Sequence, residues 1–282
     1  MNKVKIDKYN LHTTLLGGQA FNWDLIDGTY YGFTQEKAIE LKLVGDELYW
    51  QTYPEKDDWD YIKNYLQLEL GYDVIIERIN KDKHVQAAIE NVSHVRLLNQ
   101  DFEQTLLSFI LTSHKNIKAV RKVVRDLSKK YGAQLTFNNH TYNLFPKTEV
   151  IAELSEQQLR EVGAGFRAKY LQSAAKVLNS GILYLQNIKN EDEVRSNLMA
   201  LNGVGDKIAD CVMAFSLEFY NITPIDIWGK RVLTDLYGLD ENLKYSEMRK
   251  WYSQYFGEYT AYAGQILFEY LRGIKSSKIK SL

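Results

Sequence analysis

Up to about residue 53 the apolar and polar positions alternate. Ala38-Ile39-Glu40-Leu41-Lys42-Leu43-Val44 partly alternates, Gly45-Asp46 turns, and Glu47-Leu48-Tyr49-Trp50-Gln51-Thr52-Tyr53 alternates on the way back. Period two of this kind marks half-buried antiparallel strands. Asp27-Gly28 is a second hairpin signal, leading into Thr29-Tyr30-Tyr31-Gly32-Phe33. Residues 3–53 therefore read as an antiparallel β region. Beyond Pro54 the spacing changes to three and four. Asp57 or Asp58 is placed to cap a helix carrying Trp59, Ile62 and Leu66, and Asp101 to cap a helix over 102–113. Ile117, Val120, Val123, Val124, Leu127 and Tyr131 form one apolar stripe that stops at Gly132. Further helical patterns run from Phe145-Pro146 to near Gly163, over 166–178, 194–200 and 206–219, from Asp226 to Leu236, and over 259–272. The pattern predicts an α+β chain: a small N-terminal antiparallel β-sheet domain with flanking helices (1–95), then a mostly α-helical body (96–282). A helix-hairpin-helix motif turns at 201–205, and the C-terminal helix is free to pack back on the N-terminal domain.

Composition narrows the class. The chain has 282 residues, enough for a large core and two or three subdomains. Hydrophobic residues make up 45 % and charged residues 25 %, which excludes a disordered chain. No apolar run approaches the ~18–20 residues of a membrane span, and the start MNKVKIDKYN has no apolar core of a secretory signal. A cytoplasmic protein is expected. The single cysteine, Cys211, excludes an intramolecular disulfide framework and any four-cysteine zinc or iron–sulfur site.

A net charge of −1 argues against a nucleic-acid partner only as an average. Residues 1–60 carry 6 Lys+Arg and 11 Asp+Glu, leaving 29 basic and 25 acidic residues of the total 35 and 36 for the rest. From His114 to Lys130 there are seven basic residues (Lys115, Lys118, Arg121, Lys122, Arg125, Lys129, Lys130) against Asp126 alone. The end, from Arg272, adds four more and no acid. A local patch can bind phosphates because salt screens charges beyond ~8–10 Å. Lysines on a helix are also an ordinary solvated face, so charge by itself leaves the question open.

Leu201-Asn202-Gly203-Val204-Gly205-Asp206-Lys207-Ile208-Ala209-Asp210-Cys211 is a helix end, a glycine turn and a second helix start. Glycines let the backbone come close to a partner, and the following helix start offers unpaired N–H groups and a positive dipole end. Together they suit a phosphate. A plain helix–helix turn is the bland reading, and the Lys two positions after the second glycine makes the motif more specific.

With that lysine and Pro224-Ile225-Asp226-Ile227-Trp228 about 20 residues on, the chain resembles the helix-hairpin-helix DNA glycosylases, and among them the 8-oxoguanine DNA glycosylase/AP lyase family, in a bacterial-type form. The family's hairpin reads close to L-P-G-V-G-x-K-x-A-D-C, with Asn202 here in place of the Pro. Gly18-Gln19-Ala20-Phe21-Asn22-Trp23 resembles its G-Q-S/A-F-R-W strand. Arg96-Leu97-Leu98-Asn99-Gln100-Asp101 resembles R-L-L-R-Q-D, and Gly163-Ala164-Gly165-Phe166-Arg167-Ala168-Lys169-Tyr170 resembles G-x-G-Y-R-A-x-Y. The matches run in order from residue 18 to residue 268.

The resemblance implies excision of 8-oxoguanine from damaged double-stranded DNA by a monomer that meets no membrane and associates with the nucleoid when bound. It implies that Lys207 is the nucleophile, attacking C1′ and forming a Schiff base that allows β-elimination. An amine attacks only when neutral, and a helix start disfavours a charged one. Asp226 is implied to stabilise positive charge on the sugar and to assist proton transfer, and its position also suits an N-cap. Gly18, Cys211, Gly264 and Phe268 are the implied damaged-base pocket, with the Gly18 carbonyl accepting the N7–H that guanine lacks. His114, Phe166 and Arg167 are the implied gap filler, wedge and opposite-base contact. Gly203, Gly205 and Trp228 are implied to hold phosphates. No cofactor or catalytic metal is implied; main-chain carbonyls of Met199, Leu201 and Val204 are implied to suit a structural alkali or calcium ion.

Three positions depart from the family pattern. His114 stands where an asparagine inserts. Ala119 stands where animal members have a second arginine. Gly264 stands where a pocket glutamine is expected, with Gln265 about 100° away round the helix. These departures keep two alternatives in view: a glycosylase for another lesion such as alkylated purines, and a non-catalytic DNA-binding protein, which needs neither Lys207 nor Asp226.

Overall fold

The computed structural model describes residues 1–137, 140–183 and 190–280, with 275–280 described by backbone alone. Strands β1 (Asn2–Lys5), β2 (Trp23–Ile26), β3 (Thr29–Phe33), β4 (Ala38–Val44) and β5 (Glu47–Tyr53) form one antiparallel sheet in the order β1-β5-β4-β3-β2. The alternation sets its register: Leu41 pairs with Trp50 and Leu43 with Leu48, so Leu41, Leu48 and Trp50 are buried. Gly32 pairs with Trp23, and a Cβ on Gly32 would sit 2.6 Å from the indole, so the glycine makes room for the ring. The Trp23 indole N–H donates to the Tyr65 hydroxyl at 2.9 Å. This face packs with Leu15 of α1 (Leu11–Leu16) and with Ile62 and Tyr65 of α2 (Trp59–Tyr65) into a small core.

The β region is thus not continuous, as the alternation suggested. Asn10 accepts from the Thr13 N–H at 3.0 Å and starts α1, which hides a helical pair, Leu11 and Leu15, inside a region read as strands. Gly18–Asn22 is a bend rather than a strand, and only Trp23 enters β2. Gly18 has φ +110°, a value that an extended strand does not use.

The rest is helical: α3 (Tyr72–Ile79), α4 (Lys83–Asn91), α5 (Phe102–Ile110), α6 (Ile117–Tyr131), a hairpin of β6 (Gln134–Phe137) and β7 (His140–Asn143), α7 (Thr148–Glu153), α8 (Glu156–Glu161), a 3-10 turn (Gly165–Arg167) running into α9 (Ala168–Asn179), α10 (Glu191–Met199), α11 (Asp206–Ser216), α12 (Ile227–Arg231) running into a π-helical turn (Val232–Leu236), α13 (Tyr245–Phe256) and α14 (Thr260–Lys280). The apolar stripes of α5, α6, α9 and α11 meet in the larger core, which also takes Ile75, Ile79, Val85 and Ala88 of α3 and α4. Helix α14 packs against α3 and α4 as well as α12 and α13. No helix among the described residues is long and apolar enough to cross a membrane.

Several boundaries move from the expected ones. Helix α5 ends at Ile110, not 113: the Leu111 and Thr112 N–H groups bond to the Ser108 and Phe109 carbonyls in a tighter turn, and His114 takes φ +51°. The segment before Gly163 is two helices, split where Ser155 and Gln158 close a capping box. Phe166 lies in the 3-10 turn, not in α9, and α11 stops at Ser216. Helix α13 was not anticipated, because its buried stripe is only Met248, Tyr252 and Phe256 in a polar stretch.

Candidate active site

The glycine hairpin joins α10 to α11. The Val204 N–H returns to the Leu201 carbonyl at 3.1 Å, and Gly203 holds φ +86°. A Cβ on Gly203 would lie 2.5 Å from the Tyr170 ring of α9, so the turn packs tightly only as glycine. Gly205 caps α11 and has open space around it, and its first-turn N–H groups point outward as helix starts do. Lys207 is in that first turn.

What fixes α11 is a buried network. Asp210 is fully buried and accepts from Arg195 Nε of α10 at 3.1 Å, from Arg249 Nε of α13 at 3.1 Å and from the Tyr245 hydroxyl at 2.9 Å. Arg249 also bonds Asp206. The same Tyr245 oxygen accepts from the Ile225 N–H at 3.0 Å, one residue before Asp226. Asp226 then caps α12, accepting from the Trp228 N–H at 2.8 Å and the Gly229 N–H at 3.0 Å through one oxygen, Oδ1. The expected cap is therefore present. One chain of contacts, Asp210 to Tyr245 to Ile225, ties the lysine's helix to the aspartate's.

Lys207, Asp226, Gly18, Cys211, Gly264 and Phe268 all line one inner pocket, which opens onto a cleft of about 1130 Å³. Lys207 Nζ donates to the Thr112 hydroxyl at 3.3 Å and lies 5.2 Å from the centre of the Phe109 ring. Burial pushes the Cys211 thiol up to about 12, against the charge of Lys207, so it stays a neutral wall. Gly18 reaches the pocket on a braced turn. The Gln19 amide donates to the Arg96 carbonyl and accepts from the Leu98 N–H, both at 2.8 Å, and Gln100 donates to the Gln19 carbonyl at 2.7 Å. Two of the sequence motifs are thus one scaffold.

The expectation for α14 needs correction. Gln265 is not turned away: it lines the inner pocket beside Gly264. At Gly264 a Cβ would meet Thr223 Oγ1 at 1.9 Å, so Thr223 occupies the space of a side chain there. Gly264→Ala is expected to lower stability by about 1–3 kcal/mol through overpacking. A denaturant midpoint equal to wild type would show that Thr223 yields freely.

Across the cleft, Phe166 is 46 % exposed, so its ring lies at the surface and not in the helix core. It meets His114 and Tyr170 edge-on, with ring centres 6.3 and 6.5 Å apart. Arg167, in contrast, is buried, its guanidinium 4.2 Å from the Phe166 ring centre. Its Nε donates to the Ser113 carbonyl at 2.6 Å, in the loop that carries His114, and its Nη1 donates to the Ala164 carbonyl at 3.3 Å. Trp228 lines the cleft and carries the Arg231 guanidinium 5.0 Å from its ring centre.

The basic cluster divides. Lys115 and Lys118 line the cleft. Lys122, Arg125 and Lys130 are paired with Asp126, Asp24 and Glu161. Arg121 turns inward, with two of its nitrogens buried and unpartnered. Ala119 lines a separate groove with Lys118 and Lys122. Of the basic C-terminal run, the side chains of Lys275, Lys278 and Lys280 lie outside the described residues. Among the described residues no cluster of three His, Cys, Asp or Glu side chains is placed to hold a metal.

Residues 2–106 match the model of the 8-oxoguanine DNA glycosylase N-terminal domain, and residues 107–256 that of the HhH-GPD superfamily of base excision DNA repair proteins. A Saccharomyces cerevisiae N-glycosylase/DNA lyase is 30 % identical over 89 % of this chain and 75 % of its own. The fold superposes on MBOgg1 in complex with a low-affinity DNA ligand at a TM-score of 0.92, with 32 % identity, over 97 % of this chain and 96 % of the other. It superposes on the Clostridium acetobutylicum 8-oxoguanine glycosylase/lyase, bound to double-stranded DNA with cytosine opposite 8-oxoguanine, at 0.88 with 29 % identity, over 95 % and 93 %.

Proposed function

The chain belongs to the 8-oxoguanine DNA glycosylase family of HhH-GPD base excision repair proteins, and on that premise we propose that its cleft flips 8-oxoguanine out of duplex DNA, excises it with Lys207 and then nicks the strand. The observation that carries this reading is the meeting of Lys207 and Asp226, from two different helices, in one pocket with Gly18, Cys211 and Phe268.

The Lys207 lone pair attacks C1′, and the electrons of the N-glycosidic bond leave with the base, which takes up a proton. Opening of the sugar gives a Schiff base. Loss of a C2′ proton then expels the 3′ phosphate by β-elimination. Asp226 uses Oδ1 for its cap, and Oδ2 has no hydrogen-bond partner among the described residues, so a negative oxygen remains for the cationic sugar. The Gly18 carbonyl is the acceptor for N7–H, and Cys211 and Phe268 are the walls that stack on the ring. Phe166 wedges the duplex and His114 fills the gap. Arg167 reaches the opposite base by leaving the Ser113 carbonyl. Main-chain N–H groups of Gly203 and Gly205 and the Trp228 indole take phosphates. Met199, Leu201 and Val204 offer carbonyls rather than carboxylates; the Leu201 oxygen keeps one lone pair beside its bond from Val204. That set fits a weakly held alkali or calcium ion that braces the hairpin.

Strand nicking on duplexes with 8-oxoguanine opposite each of the four bases, beside a panel of alkylated purines, tests this function. Nicking confined to 8-oxoguanine is expected, and preferential release of alkylated purines would overturn the lesion assignment. Phe166→Ala is expected to leave the thermal midpoint almost unchanged, because the ring is exposed. It is expected to slow excision from duplex DNA by about tenfold or more. Excision at the wild-type rate would remove Phe166 from the wedge role.

A further inference from the structure

The groove between α6, β3 and the β6–β7 hairpin takes no part in the steps above. It encloses about 810 Å³. One wall is a stripe of cations. Lys118, Lys122, Arg125 and Lys129 follow one another at steps of four, three and four, so they share a face of α6 and run for ~16 Å along it. Asp126 and Asp24 line the groove too, each paired with one of these cations, Lys122 and Arg125. Surface pairs of this kind contribute little and exchange readily for a phosphate. Lys118 and Lys129 are exposed and have no ion-pair partner among the described residues, so the groove keeps a positive excess.

The facing wall is aromatic. The ring centre of Tyr31, on β3, lies 5.4 Å from that of His140 and 6.3 Å from that of Tyr142, both on β7. Tyr142 is buried and its hydroxyl donates to Glu40. Tyr31 is half-buried and His140 exposed, so ring surface stays open to the groove. Ser128 lines it as well; it is 1 % exposed, and its hydroxyl has no hydrogen-bond partner among the described residues. A polar group therefore remains for an occupant. The groove meets the catalytic cleft at Asn116 and Lys118, which line both.

We propose that this groove binds single-stranded DNA as an extension of the strand held in the cleft, with phosphates on the α6 cations and a base stacked on Tyr31 and His140. Rings beside cations suit a single strand, which offers an open base face and a phosphate at every step. A duplex keeps its base faces covered by neighbouring pairs and presents phosphates alone, for which the rings are of no use. An acidic peptide likewise engages the charges and leaves the rings idle. The continuity with the cleft rests on the base-excision reading above; the chemistry of the groove does not. A lesion close to a single-stranded end or gap is then held at two places on one strand, which raises affinity without any new contact in the pocket.

The test is fluorescence anisotropy with labelled oligothymidylate, a blunt 8-oxoguanine duplex, and the same duplex with a thymidine tail of about ten nucleotides at one or the other end of the lesion strand. The wild-type protein is expected to bind the tailed duplex about fivefold or more tighter than the blunt one for at least one tail polarity. Lys129→Glu, Tyr31→Leu and His140→Ala are each expected to remove most of that advantage. Binding and nicking of the blunt duplex should stay at wild-type values, which reports that each variant is folded. No advantage from either tail in the wild type overturns the proposal. Equal losses on blunt and tailed duplexes overturn it too, by making the groove a duplex contact. So does polyglutamate that displaces oligothymidylate as well as unlabelled oligothymidylate does, because charge alone then accounts for binding. A tail advantage that the variants lose, in a protein that nicks no 8-oxoguanine duplex, supports the groove and overturns the lesion reading instead.

Discussion

Lys207→Gln is expected to remove base excision and strand nicking together, by about a thousandfold or more, because both steps run through one amine. The fold is expected to survive. Helix α11 is held by Asp210, not Lys207: Arg195, Arg249 and Tyr245 converge on that carboxylate from α10 and α13. The lysine's own ties are a 3.3 Å bond to Thr112 and a 5.2 Å approach to Phe109, together about 1 kcal/mol at a partly exposed site. Glutamine keeps a donor for Thr112. Single-turnover excision and thermal unfolding, measured side by side, check this. Nicking within tenfold of wild type would assign the amine elsewhere, with Lys115 next to be examined because it lines the same cleft.

Asp226→Asn is the second large effect. Asparagine caps a helix as well as aspartate does, so stability should stay within about 1 kcal/mol of wild type. Its neutral amide has no charge to set against a cationic sugar, and excision should fall by about a hundredfold or more. Asp226→Ala should lose both cap and catalysis. Comparable activity losses with equal stability in the two variants would leave the cap without consequence. Full activity in Asp226→Asn would mean that the cap is the residue's whole contribution.

Local sequence carried the site further than it carried the fold around it. Lys207 and Asp226 each sit at a helix start, and helix starts follow from a few adjacent residues: the glycine turn in one case and Pro224 with its following Asp in the other. The element that sets the two helices against each other does not. Tyr245 and Arg249 meet Asp210 from 35 and 39 residues away, and nothing in their immediate sequence marks them. Gln265 was misplaced for a related reason. A helical wheel assigns faces by assuming one side is wet, yet Tyr262, Ala263, Gly264, Gln265, Ile266 and Leu267 are all buried, so the 100° step from Gly264 moves a side chain from one packed wall to another. The bond from Arg167 to the Ser113 carbonyl crosses 54 residues, and no local pattern around Arg167 signals it. The short helix α1 escaped notice because six residues between strands carry too little period to separate from alternation.

Net charge gains meaning from the same comparison. Much of the basic stripe on α6 is engaged with acids, and only its first turn and the preceding loop, with Lys118 and Lys115, open on the cleft. A modest local patch with main-chain phosphate contacts is enough for an enzyme that must release its product.

The most direct test is borohydride reduction during reaction with a duplex holding 8-oxoguanine opposite cytosine, followed by peptide mapping of the trapped complex. A covalent protein–DNA adduct on the peptide that contains Lys207 is expected. An adduct on another lysine, or none while the strand is still nicked, would show that Lys207 is not the nucleophile.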